Sequence, residues 1–185
     1  MMKSQRLLRL TAQVSLLVAL ASTSALVLVR PYITDSDKLY RQGAITEVVE
    51  RGPVTVGRVE WKLEALDVYT QLVNKEKKKI DLEQPAGSVV VLAKASVTAL
   101  DGLKMDAGGF TCSANLRDDR GNVWESQSAF GLPFATRCSD EDFPFVRNKP
   151  GVVALVFVVP GSAVPHLTGI QVENLAEYRR VLITR

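Results

Sequence analysis

The side chains of this 185-residue chain that could take part in chemistry are few: one histidine, His166, two cysteines, Cys112 and Cys138, and some short runs of like charge. A Ser-His-Asp or Cys-His arrangement needs a histidine to accept the nucleophile's proton, so any such site must use His166. That residue stands between Pro165 and Leu167, with no Gly-x-Ser-x-Gly elbow and no context that would activate a cysteine, and it reads as a turn or surface histidine. Zinc draws on several His or Cys ligands, whereas the three such residues here are spread from position 112 to position 166. There is no His-Glu-x-x-His, Walker loop or Gly-x-Gly-x-x-Gly, and Gly108-Gly109 reads as a turn. Asp140, Glu141 and Asp142, with Asp118 and Asp119, could offer oxygens to calcium, but consecutive acids cannot all point inward and the alternating spacing of a calcium loop is missing. They read instead as a solvated helix N-terminus. The expectation is a non-enzymatic protein without cofactor or metal.

Two other groups carry more weight. Cys112 and Cys138 are an even pair, and in an oxidising compartment they predict a disulfide; the alternative is two buried thiols acting as small apolar side chains. Neither belongs to a Cys-x-x-Cys pair, which argues against a redox motif or zinc knuckle. Lys75, Lys77, Lys78 and Lys79 set four positive charges within five residues. Close to a membrane such a tip would touch anionic headgroups or an anionic wall polymer; otherwise it is a hairpin tip kept soluble by its lysines. A net charge of +3 is too small to imply nucleic acid.

The compartment follows from residues 10–29, twenty positions without a charge between Arg9 and Arg30. At about 1.5 Å per residue they make a helix roughly 30 Å long, the thickness of a bilayer's hydrocarbon core. Lys3, Arg6 and Arg9, with the small-x-small pattern Ala19-Leu20-Ala21, would also suit a cleaved secretory signal. However, Ala25, Leu26, Val27, Leu28 and Val29 continue the run past that site, which favours an uncleaved anchor. A long C-terminal domain translocates largely regardless of its charges, so the short basic tail stays in the cytoplasm. The expected organisation is a cytoplasmic tail at 1–9, a single transmembrane helix at 10–29, a tether at 30–52 or within it a short edge strand at 45–49, and one extracytoplasmic domain at 53–185, long enough for one core.

Within that domain the dominant period is two. Residues 88–100 alternate around Val89, Val91, Ala93, Ala95, Val97 and Ala99, which predicts a half-buried strand. Residues 152–159 are apolar on both faces and bracketed by Pro150-Gly151 and Pro160-Gly161, the pattern of a central strand. The apolar set Trp61, Leu63, Leu66 and Val68 slips phase at Ala65, predicting a β-bulge. Strands at 110–116 and 122–125 flank Asp118-Asp119-Arg120-Gly121, a hairpin turn. Residues 167–172 and 178–183 add two more, with a helical turn possible at 173–178. Residues 74–87 predict a mobile charged loop, and Ser139 with Asp142 a capping box for one helical turn. Six or seven short strands make an all-β antiparallel sandwich.

The order of these pieces resembles the membrane-anchored or lipid-anchored immunoglobulin-like domains of unknown function on the outer face of Gram-positive bacterial cells. The pieces concerned are Val97-Thr98-Ala99-Leu100, the stretch from Leu116 through Asp118-Asp119-Arg120-Gly121 to Trp124, Pro150-Gly151 leading to Val156-Phe157-Val158-Val159-Pro160, and an alternating last strand. The resemblance spans residues 54–183 and departs in lacking a lipobox cysteine after the apolar run. It implies an immunoglobulin-like β-sandwich outside the membrane with a binding or structural role; the function expected of such a domain here is an interaction module that binds a membrane-protein partner or a cell-envelope component. The alternative is a structural or assembly subunit of a larger membrane complex, in which the small residues Ala19, Ala21, Ser22, Ser24 and Ala25 let the transmembrane helix pack closely.

Overall fold

The alternating segments pair into two facing sheets. A computed structural model of the chain describes residues 35–106, 109–140 and 142–185, together with the isolated Ser24. The basic tail and, Ser24 apart, the apolar run at 10–29 lie outside the described residues; among those described, no helix is long and apolar enough to cross a membrane. A short helix α1 (Asp35–Arg41) precedes β1 (Glu47–Glu50), β2 (Val54–Val56), β3 (Val59–Tyr69), β4 (Ser88–Ala99), β5 (Asn115–Asp118), β6 (Val123–Trp124), β7 (Pro150–Pro160), β8 (Leu167–Asn174) and β9 (Arg179–Thr184). One sheet has the order β1-β9-β8-β5-β6 and the other β2-β3-β4-β7, so the fold is a β-sandwich.

Between the sheets, Trp61, Leu63, Val91, Ala93, Val97, Val153 and Phe157 meet Leu116, Ile170, Val172, Val181 and Ile183. The expected bulge in β3 lies between Leu63 and Ala65, where the register with β4 shifts. That extra residue lets Trp61 and Leu63 point inward on one side of it and Leu66 pack against the same core on the other. The hairpin at Asp118 also forms, with Leu116 opposite Trp124, and a 3-10 turn at Leu175–Glu177 joins β8 to β9.

Several expectations change. β4 is buried on both faces, not one: Val90 and Leu92 on its outer side form a second core with Leu72, Ile80, Ala129, Leu132, Ala154 and Val156. Alternation cannot reveal this, because loops supply the cover. β7 stands at the end of its sheet's strand order rather than at its centre. Its apolar outer face is covered by Leu72, Ile80, Ala129 and Leu132, and its other edge is bridged by the preceding segment, where Gln127 N donates to Val156 O and Ala154 N to Ala135 O, both at 2.7 Å. Residues 110–114 are irregular, and the strand begins at Asn115. The sandwich is not wholly antiparallel, since β1 pairs with β9 in parallel. Ahead of Pro53, β1 takes the place of the short edge strand expected at 45–49, because β9 supplies the partner that a four-residue strand needs. Instead of a capped helical turn, Asp140 Oδ1 accepts the Asp142 amide at 3.1 Å, a side-chain turn that competes with helix.

Candidate functional site

Residues 70–87 do not project as a free loop. Leu72 and Ile80 are buried against the outer face of β4 and β7, and Ile80 N donates to Leu72 O at 3.0 Å. Beyond them Asn74 organises the tip, its Oδ1 accepting the amides of Glu76 at 3.0 Å and Lys78 at 2.9 Å. Lys77 takes a left-handed conformation, φ 62°. The result is a tight turn on an apolar base, and Lys75, Lys77, Lys78 and Lys79 are all exposed on it.

Facing this turn is the irregular segment between β6 and β7. The predicted disulfide ties it down: Cys112 and Cys138 are bonded, with Cα atoms 5.7 Å apart. Phe110 N donates to Cys138 O at 2.9 Å, and Gly109, at φ 139°, passes so close that an added Cβ would stand 1.8 Å from the same carbonyl oxygen. Only glycine fits there. The edge-to-face pair Phe110–Phe145, 5.7 Å between centroids, packs beneath.

Between turn and segment lies an open cleft of about 970 Å³, lined by Lys75, Phe130, Phe134, Arg137, Asp140 and Phe143 among others. Lys75 Nζ stands 6.0 Å from the Phe143 ring centroid and the Arg137 guanidinium 6.0 Å from that of Phe130. Phe130 is 73% exposed, the most exposed large apolar side chain among the described residues. An aromatic wall carrying two cations, with carboxylates at Asp140 and Asp142 on the rim, can hold a ligand that offers both apolar surface and charge. Of the four lysines the structure brings only Lys75 to the cleft. The aromatic residues were missed by strand reasoning, although a signal exists: Phe130, Phe134, Phe143 and Phe145 are four of the chain's six phenylalanines, gathered in a stretch that reads as loop.

The remaining candidates are engaged elsewhere. His166 Nδ1 lies 3.1 Å from Asp119 Oδ1, and its Nε2 meets the Arg120 guanidinium. With Arg120 donating to Nε2, the ring donates from Nδ1 to Asp119, and neither nitrogen is left for a nucleophile's proton. Asp118 is buried, its Oδ1 accepting the amides of Arg120 at 3.0 Å and Asn122 at 2.8 Å and its Oδ2 the Asn122 side chain at 2.7 Å. Burial pushes its pKa up, but the Asn122 side chain, the two amides and the Arg120 charge outweigh that and hold the carboxyl below its usual value. Glu141 lies outside the described residues, and among those described no three His, Cys, Asp or Glu side chains gather into a metal-binding group.

No protein-family model matches this chain, and no curated protein does. Among solved structures it is similar to a conserved hypothetical protein from Bacillus anthracis, with 11% identity over 68% of this chain and 87% of that one and a TM-score of 0.46. It is similar likewise to an uncharacterised β-sandwich protein from Clostridium difficile 630, with 11% identity over 76% and 93% of the two chains and a TM-score of 0.46.

Proposed function

We propose that this protein is a non-enzymatic, membrane-anchored interaction module that presents an immunoglobulin-like sandwich outside the cytoplasm and binds a membrane-protein partner or a cell-envelope component. The observation that carries the reading is the cleft of about 970 Å³ beside Phe130. A large aromatic side chain left 73% in water beside Lys75 and Arg137 is the composition of a contact surface, where aromatic and arginine side chains supply most of the binding energy. Two further features fit the location: the charge-free run at 10–29 and the Cys112–Cys138 bridge, a bond kept in oxidising compartments. Strand pairing supports the immunoglobulin-like build, since β4 pairs with β3 and β7 while β8 pairs with β5 and β9, as strands B and F do in such domains. The bridge departs from that pattern, for neither cysteine lies in a strand.

The test is recovery of partners from gently solubilised membranes by the full chain, by Phe130→Ser, and by a variant with Lys75, Lys77, Lys78 and Lys79 all changed to Gln. All these side chains are exposed, so both variants should melt with the wild type. Phe130→Ser should lose the partner at any salt, and the lysine variant should lose it most at low salt, where a charge acts over more than about 10 Å. Equal recovery by all three chains would remove the cleft from the reading.

A further inference from the structure

The end of the sandwich that carries α1 is built differently from the opposite end. α1 is clamped: Arg180, with only 14% of its side chain exposed, lies over the Tyr40 ring at 4.4 Å. Its Nη1 donates to Tyr40 O at 3.0 Å and Ala44 O at 3.2 Å, and its Nε to Glu173 at 2.9 Å. Tyr40 in turn packs edge-on against Tyr178 at 5.9 Å, and Arg41 lies over that same ring at 5.6 Å. Tyr178 closes the Leu175–Glu177 turn, so helix and turn are neighbours. The β2–β3 turn joins them, with Gly57 N donating to Glu177 at 3.4 Å and Arg179 to Thr55 O at 2.9 Å.

We propose that this end rests on the bilayer in which the chain's own apolar run is embedded, with Leu175 dipping into the interface. The inference rests on the anchor reading above and adds an orientation to it. Its first support is reach. Residues 30–34 span at most about 18 Å even when fully extended, so the end of the run lies within about 27 Å of Tyr40 once the length of α1 is added. Because the clamp fixes α1 to this end of the sandwich, this is the end that stands nearest the run.

The second support is the composition of the end. Leu175 is 70% exposed at the tip of its turn, and Leu39 on α1 is 43% exposed. The carboxylates of Glu47 and Glu177 are paired with Arg179, and that of Glu173 with Arg180. Arg41 lies over the Tyr178 ring and Arg58 Nη1 donates to Asp101 O at 3.2 Å, so guanidinium groups border the exposed leucines, as they do where an amphipathic surface meets a bilayer. Residues 70–87 leave β3 and rejoin β4 at the opposite end.

Tryptophan quenching tests the seating. The full chain is reconstituted into phosphatidylcholine–phosphatidylglycerol vesicles with brominated acyl chains, as wild type, Leu175→Trp and Val68→Trp. Both positions are exposed, and Val68 lies near the far end of β3. After subtraction of the signal from Trp61 and Trp124, the tryptophan at 175 should be quenched at least about threefold more than that at 68, as expected for a side chain that enters the acyl boundary. Equal quenching, or more at 68, overturns the seating while leaving the anchor standing. Extraction of the chain from the vesicles by carbonate overturns the anchor, and the seating with it.

Discussion

Asp118 shows how a single side chain can be read one way in sequence and used another way in the fold. In the sequence it belongs to an acidic pair with Asp119, a possible oxygen donor to a cation. In the structure it is turned into its own hairpin, where three hydrogen bonds from Arg120 and Asn122 satisfy its oxygens. Asp118→Ala removes the acceptor and leaves those donors to find others; a loss of roughly 1–3 kcal/mol is expected, read from the urea midpoint. The pH dependence has a definite sign. Because the folded carboxyl titrates below its usual value, the ionised form stabilises the fold. The contribution is whole above the ordinary carboxylate pKa of about 3.9 and is lost as pH falls through the lower folded value. Asp118→Asn should therefore be less stable than wild type at pH 7, and the gap in melting temperature should close below about pH 4. A gap that stays constant with pH would mean that shape, not charge, holds the turn.

The element with the clearest division of labour is the connection 70–87. Its tip is charged and its base apolar, and the two halves predict opposite responses. Ile80→Ala opens a void beneath the loop against Val90, Leu92 and Val156, and should cost about 2–5 kcal/mol in chemical denaturation. Changing Lys75, Lys77, Lys78 and Lys79 together to Gln should move stability by less than about 0.5 kcal/mol per site, since all four are solvated. If Ile80→Ala were silent, the second core on the outer face of β4 would not exist as described. The tip was legible in the sequence because a run of lysines cannot be buried. The base was not, because Leu72-Val73 and Ile80-Asp81-Leu82 are too short to show a period, and Leu72 and Ile80 gain meaning only from the strand face they cover.

At the scale of the whole molecule, the Cys112–Cys138 bridge links the approach to β5 with the segment that covers β7, across a sequence separation of 26. Chain-entropy arguments give such a closure about 3.5 kcal/mol, so reduction should lower the melting temperature by many degrees, and thiol titration of the unfolded, unreduced chain should find no free thiol. Two reactive thiols would refute the bond. The sequence by itself determined the strands β3, β4, β7, β8 and β9, the bulge in β3 and the hairpin at Asp118. Each is written in local alternation, phase and punctuation, which neighbouring residues alone enforce. Only the tertiary structure decided that both faces of β4 are covered, that β7 closes a sheet instead of centring it, that β1 pairs in parallel with β9, and that Phe130 and Lys75 face one cleft. Those outcomes depend on which distant segments lie against a strand. Alternation reports how a side chain points, but what it meets there is set by packing between elements far apart in the chain.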